Sequence, residues 1–152
     1  MAKATEVALD PGAAFADAAR EIVAVRSADL WANEQGVMDT DDIERVHDMR
    51  VATRRLRAVL EIFSEAFDPG ELKDVLRDVK RLADALGERR DPDVHIDALK
   101  RFAAGVLPEE RPGVEALIGV QRERQARGNE VLAAELARAR ETDLAGRLEA
   151  LV

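Results

Sequence analysis

Val46-His47-Asp48-Met49-Arg50-Val51-Ala52-Thr53-Arg54-Arg55-Leu56-Arg57 puts five basic or imidazole groups into twelve residues. The chain around them is acidic, with 31 Asp and Glu against 23 Lys and Arg, a net charge of −8. His47, Arg50, Arg54 and Arg57 recur at i, i+3, i+7 and i+10, the spacing that keeps side chains on one face of a helix. Val46, Met49, Leu56, Leu60 and Phe63 follow the same period on a different stripe. The stretch therefore reads as a helix with one face for a core and another of guanidinium groups about 5 Å apart, one helical turn each.

Working outward, the same period recurs and alternation with period two does not. Residues 1–9 lack periodicity and read as a flexible tail ahead of one domain over 10–152. Asp10-Pro11-Gly12 reads as a helix start, with Asp as N-cap and Pro at the first helical position. Phe15, Ala19, Ile22, Val25 or Arg26, Asp29 and Leu30 carry that helix to about Asn33. Asp39-Thr40-Asp41 opens the arginine helix, with Asp41 and Glu44 spaced as a capping box, and the helix runs to about Phe67. Asp68-Pro69-Gly70 starts a third helix through Leu72, Val75, Leu76, Val79, Leu82 and Leu86, stopping at Gly87. Asp91-Pro92 opens a short fourth helix that ends near Gly105. A fifth runs from about Val114 to Ala139, and Thr142 caps a last short helix through Leu148 and Leu151. The expected class is all-α, an antiparallel helical bundle of five to six helices joined by short loops.

Composition narrows the function. At 152 residues, 47% apolar and 36% charged, the chain suits one folded domain of modest core. It has no Cys, which removes disulfides and thiolate metal sites and points to a reducing compartment. No apolar run is long enough to cross a bilayer, and the N-terminus lacks a basic region followed by an apolar one. The expected location is cytoplasmic, with no membrane partner. Nucleic acid is disfavoured by the acidic balance, the absence of Tyr, and the lack of aromatic residues among the arginines to stack bases.

Guanidinium suits phosphate because its planar fork of donors binds two oxygens together. A linear row of forks suits a linear polyanion. A solvated arginine face paired with neighbouring acids is the plainer alternative. A helical adaptor docking an acidic protein partner is another. An enzyme reading has less behind it. No P-loop, nucleophile elbow or metal motif is present, and the acids at Asp39, Asp41, Asp42 and Glu44 sit where a helix start favours them. His47 and His95 are the two histidines. Neither forms a motif for a dedicated metal, so the sequence predicts no catalytic residues, no metal ligands and no cofactor beyond a divalent cation bridging phosphates.

His47-Asp48-Met49-Arg50-Val51-Ala52-Thr53-Arg54-Arg55-Leu56-Arg57 resembles the first motif of the CHAD family, the conserved histidine α-helical domain. Leu86-Gly87-x2-Arg90-Asp91-x-Asp93-Val94 resembles a second motif of that family, in the expected order. The resemblance implies a helical protein that binds inorganic polyphosphate through basic side chains lining a groove, some members being associated with polyphosphate granules. It implies His47, Arg50, Arg54 and Arg57 as ligands of the polymer, with Arg55 in the motif but turned partly aside. It adds Arg90 and, beside it, Arg89. Arg124 and Arg127 on the fifth expected helix are further candidates for the same groove. The family domain usually has two facing helical bundles, and this chain has helices for one half. A homodimer completing the groove, or an accessory role beside a phosphohydrolase, is the corresponding expectation.

Overall fold

The computed structural model describes residues 3–152. Its five α-helices among the described residues are α1 (Phe15–Ala32), α2 (Ile43–Ile62), α3 (Pro69–Ala103), α4 (Arg111–Glu141) and α5 (Leu144–Leu151), with a 3-10 turn at Ser64–Ala66 and no strand. The expected all-α class is what the chain forms.

α3 and α4 build an antiparallel hairpin that organises the rest. As the position on α3 rises from Asp78 through Arg89 and Asp93 to His95, its partner on α4 falls from Arg138 through Asn129 and Gln125 to Gln121. α2 packs on α3, α1 on α2, and α5 folds back against α1, α3 and α4. The core is aliphatic, built from residues such as Val23, Leu30, Met49, Leu56, Leu60, Leu82, Leu86, Leu132, Leu144 and Leu148. Each fully buried Leu or Met contributes about 1.5–3 kcal/mol. On α2 this fixes the rotation of the helix. Val46, Met49, Leu56 and Leu60 face inward with no exposed surface, so the residues on the opposite side must face out.

Several boundaries differ from the sequence expectation, each for a local reason. Asp10 makes a turn rather than a helix start. Its carboxylate accepts from Gly12 N–H at 2.9 Å, and α1 begins only at Phe15. Thr5 is tied to α1 through Asp29 and Arg26, while Met1 and Ala2 of the expected tail lie outside the described residues. The buried stripe of α1 is Ala19, Val23, Ser27 and Leu30. Phe15 instead stays 55% exposed and packs against Phe63 with the rings tilted at 53° and their centroids 5.6 Å apart. The capping box does not form: Asp42 is the N-cap of α2 and its side chain makes no cap bond. α2 ends at Ile62, and the 3-10 turn takes up the rest of the span expected to be helical. Asp68 caps α3 as expected, accepting from Gly70 N–H at 2.9 Å and Glu71 N–H at 3.0 Å. Asp143, not Thr142, caps α5. It adopts a left-handed backbone with φ 48° and accepts from Gly146 N–H at 3.2 Å.

The largest correction concerns Gly87 and Pro92, which do not separate two helices. α3 runs unbroken for 35 residues through both, a length of about 50 Å. Pro92 removes the donor for the carbonyl four residues earlier, which is Glu88. That carbonyl lies under Gly128 of α4, where a Cβ would sit 3.1 Å from Glu88 O and 2.9 Å from Arg89 Cα. Arg89 and Asp93 bracket Pro92 with an i, i+4 ion pair at 2.5 Å. Tertiary packing thus carries the helix across a proline that local chemistry reads as a break. Past this point the hairpin continues as an arm. Val94, Phe102, Leu107, Leu117 and Val120 of its two helices and their connection are exposed.

Candidate functional site

With its apolar stripe turned inward, α2 carries His47, Arg50, Arg54 and Arg57 on one face by helical spacing. This face borders α3 at Arg50 and at Glu61, the partner of Arg57. Arg50 lies over Gly87: its Nε is 4.0 Å from where a Cβ on that glycine would stand. At that distance a Cβ would be in ordinary van der Waals contact with the Arg50 side chain. One turn further along α3, Arg90 Nη2 lies 3.7 Å from Glu44 Oε1 of α2. At the other end Arg57 Nε donates to Glu61 Oε1 at 2.9 Å, and Lys80 Nζ of α3 is 3.7 Å from the same oxygen. The hydrogen bond from Arg57 holds the Glu61 carboxyl below its usual range, against slight burial and with the Arg57 and Lys80 charges helping. From Glu44 to Glu61 the seam is about 25 Å long at 1.5 Å per residue.

Pairing varies along this row. Among the described residues His47, Arg50 and Arg54 have no hydrogen-bonding or ion-pair partner. Arg50 is nevertheless only partly exposed. Its guanidinium nitrogens are not among the buried atoms left without a partner, so they stay open to an arriving anion. Arg54 is exposed beside it.

The other expected residues lie elsewhere. Arg55 is rotated by about 100° per residue away from the row and occupies another flank of α2, half-buried. Arg89 is wholly buried. Its Nη1 donates to Asp93 Oδ1 at 2.5 Å and its Nε to Asn129 Oδ1 at 2.6 Å. It holds α3 against α4 and does not reach solvent. Asn129 in turn donates to Met38 O at 3.0 Å, fixing the connection that leads into α2. Arg124 and Arg127 are exposed on α4 and line a different cavity, about 370 Å³, with Glu88, Asp91, Pro92, His95 and Gln121. Arg50 and Arg90 thus border the α2–α3 seam, Arg57 is linked to it through Glu61 and Lys80, and His47 stands beside Glu44. Arg54 shares their helix face by spacing, while Arg89 is buried and Arg124 and Arg127 line another cavity.

Lys80 joins the row without having been anticipated from sequence. Its spacing carried a sign, since Lys80 precedes Arg90 by ten residues, the interval that separates His47 from Arg57 on the facing helix. Glu44, His47 and Asp48 offer ligand atoms within 4.8 Å of one another. Of the described residues, these are the ones placed to hold a divalent cation, and they sit at the head of the arginine row.

Fold and site together define an all-helical module with a basic seam between two antiparallel helices. Residues 21–152 match the family model described as CHAD domain, and the chain belongs to that family. It is 38% identical over 69 residues to "Uncharacterized protein Rv2226" of Mycobacterium tuberculosis strain H37Rv, a match covering 45% of this chain and 14% of that protein. It is 36% identical over 69 residues to "Uncharacterized protein MT2285" of the CDC 1551 strain, with the same coverage. The matched stretch thus spans about one seventh of the length of these relatives. No solved structure matches the chain significantly. No helix among the described residues is long and apolar enough to cross a membrane.

Proposed function

We propose that the chain binds inorganic polyphosphate along the α2–α3 seam, without catalysing a reaction on it. The observation that carries this reading is Arg50, partly buried over Gly87 with no counter-charge, in line with Arg54 and Arg57. Family membership supports the same ligand. Binding rests on bidentate, charge-assisted hydrogen bonds from the arginines, with counterions released as phosphates dock. His47 stands one turn before Arg50 and donates to a phosphate oxygen or orients the arginine. Arg90 and Lys80 supply the opposite wall. A second copy facing the seam would double the row and complete a groove from two half-sized domains. A cytoplasmic place, at polyphosphate granules, fits this role.

The adaptor reading has one observation in its favour, the exposed Val94, Phe102, Leu107, Leu117 and Val120 of the hairpin arm. A titration with long-chain polyphosphate at two salt concentrations separates the two readings. The comparison is a triple Arg50→Ala, Arg54→Ala, Arg57→Ala variant with its helicity and oligomeric state verified. The polyphosphate reading expects binding that weakens steeply with salt, and a salt slope that falls by roughly one per arginine removed. Equal binding by the triple variant, or none by either protein, moves the adaptor reading to the front.

A further inference from the structure

Arg90 is held in an unfinished state. Its side chain is 15% exposed and stands between two carboxylates, Glu44 Oε1 at 3.7 Å and Asp93 Oδ2 at 3.8 Å. Neither separation is a hydrogen bond, since N–H···O bonds close at about 2.7–3.2 Å. Arg90 Nη1 and Asp93 Oδ2 are both buried without a hydrogen-bond partner.

The two carboxylates differ in freedom. Asp93 is locked: its other oxygen accepts from Arg89 Nη1 at 2.5 Å and from Gln125 Nε2 at 2.6 Å, and the residue is 1% exposed. Glu44 is 56% exposed on its side chain and accepts no hydrogen bond among the described residues. It can swing into water at little cost, while Asp93 cannot. Of the two neighbours, Glu44 alone is placed to exchange with an incoming anion.

We infer that Glu44 is a built-in competitor for Arg90. It neutralises the guanidinium while the seam is empty and gives it up to a phosphate group, so that each binding event displaces a carboxylate. The inference rests on the polyphosphate reading and deepens it. Glu44 lowers the affinity of the seam, and Asp93 holds the arginine from behind. Three residues that a helix start and a turn would account for locally thus act as one device across two helices.

The test is a double-mutant cycle on long-chain polyphosphate binding, with wild type, Glu44→Gln, Arg90→Ala and the double variant, each verified as folded by circular dichroism. Glu44→Gln should tighten binding by about two- to five-fold, the worth of one exposed ion pair. In the Arg90→Ala background the same change should give no gain, because the partner for which Glu44 competes is gone. An equal gain in both backgrounds shows only a weaker overall negative charge and overturns the inference. So does a weakened Glu44→Gln, which would make Glu44 a support for Arg90 rather than a competitor. Binding by wild type that the Glu44 change leaves untouched sinks this inference and spares the polyphosphate reading. No binding by any of the four proteins sinks both.

Discussion

Asp93 and Arg89 pair at 2.5 Å with neither side chain exposed, one helical turn apart on either side of Pro92. Removing one partner strands the other as a buried charge, which typically costs about 3–5 kcal/mol. Arg89→Ala and Asp93→Ala should therefore each lose roughly that much in urea unfolding. Replacing both together, as Arg89→Met with Asp93→Leu, should cost clearly less than either single change, because no charge is then left unpaired. Additive losses would show that the two residues act independently.

At Gly128 the backbones of α3 and α4 come close together. A methyl group there would meet Arg89 Cα at 2.9 Å, Glu88 O at 3.1 Å and Arg89 N at 3.2 Å. Backbone does not move aside as a flexible side chain does, so overpacking of about 1–3 kcal/mol is the expected cost of Gly128→Ala. Gly119 lies on the same helix with nothing within 4 Å of an added Cβ. Gly119→Ala should stabilise by about 0.5–1 kcal/mol through helix propensity. Thermal melts of the two variants should therefore move in opposite directions.

Much of the architecture is legible in the sequence where local chemistry and packing agree. Asp68-Pro69-Gly70 is both the capping motif and the observed start of α3. The arginine row on α2 is readable because its buried counter-stripe has the same period. Gly87 and Asp91-Pro92 mislead because they carry genuine end-of-helix chemistry, and only the partner helix overrides it. Gly128, which makes that possible, lies 36 positions beyond Pro92, a distance at which local patterns say nothing. Arg89 and Arg90 are adjacent and chemically identical, yet one is buried and one borders the seam. Helical rotation against α4 decides between them, and no neighbouring residue reveals that rotation.

Asp78 joins three helices, accepting from Arg147 at 2.6 Å and from Arg138 at 3.2 Å. Burial pushes its carboxyl up, but the hydrogen bonds and charges of the two arginines outweigh this and the net shift is downward from 3.8. A carboxylate whose folded pKa is depressed stabilises the fold above its unfolded value. That contribution is lost as pH falls through the folded pKa. Asp29 and Glu135 shift in the same direction. Stability should accordingly be flat near neutrality and fall below about pH 4. Asp78→Asn should be less stable than wild type at pH 7, and the gap should narrow as the solution is acidified. A gap that stays constant down to pH 3 would contradict the assignment.

Gly87 offers a way to probe the seam without changing its charge. The residue is helical and half-buried, and a Cβ there would be in ordinary contact with Arg50 Nε at 4.0 Å. Gly87→Ala should therefore leave polyphosphate binding unchanged and raise stability by up to about 1 kcal/mol from propensity alone. A leucine has the same helical advantage but extends further into the space the Arg50 guanidinium occupies. Gly87→Leu should fold at least as well as wild type and bind polyphosphate about ten-fold more weakly, the loss of one charge-assisted hydrogen bond. Because no charge is removed, a long-range electrostatic account predicts no change at all. Wild-type affinity in a folded Gly87→Leu protein would place the ligand away from Arg50 and shift attention to Arg54 and Arg57 on the exposed side of the row.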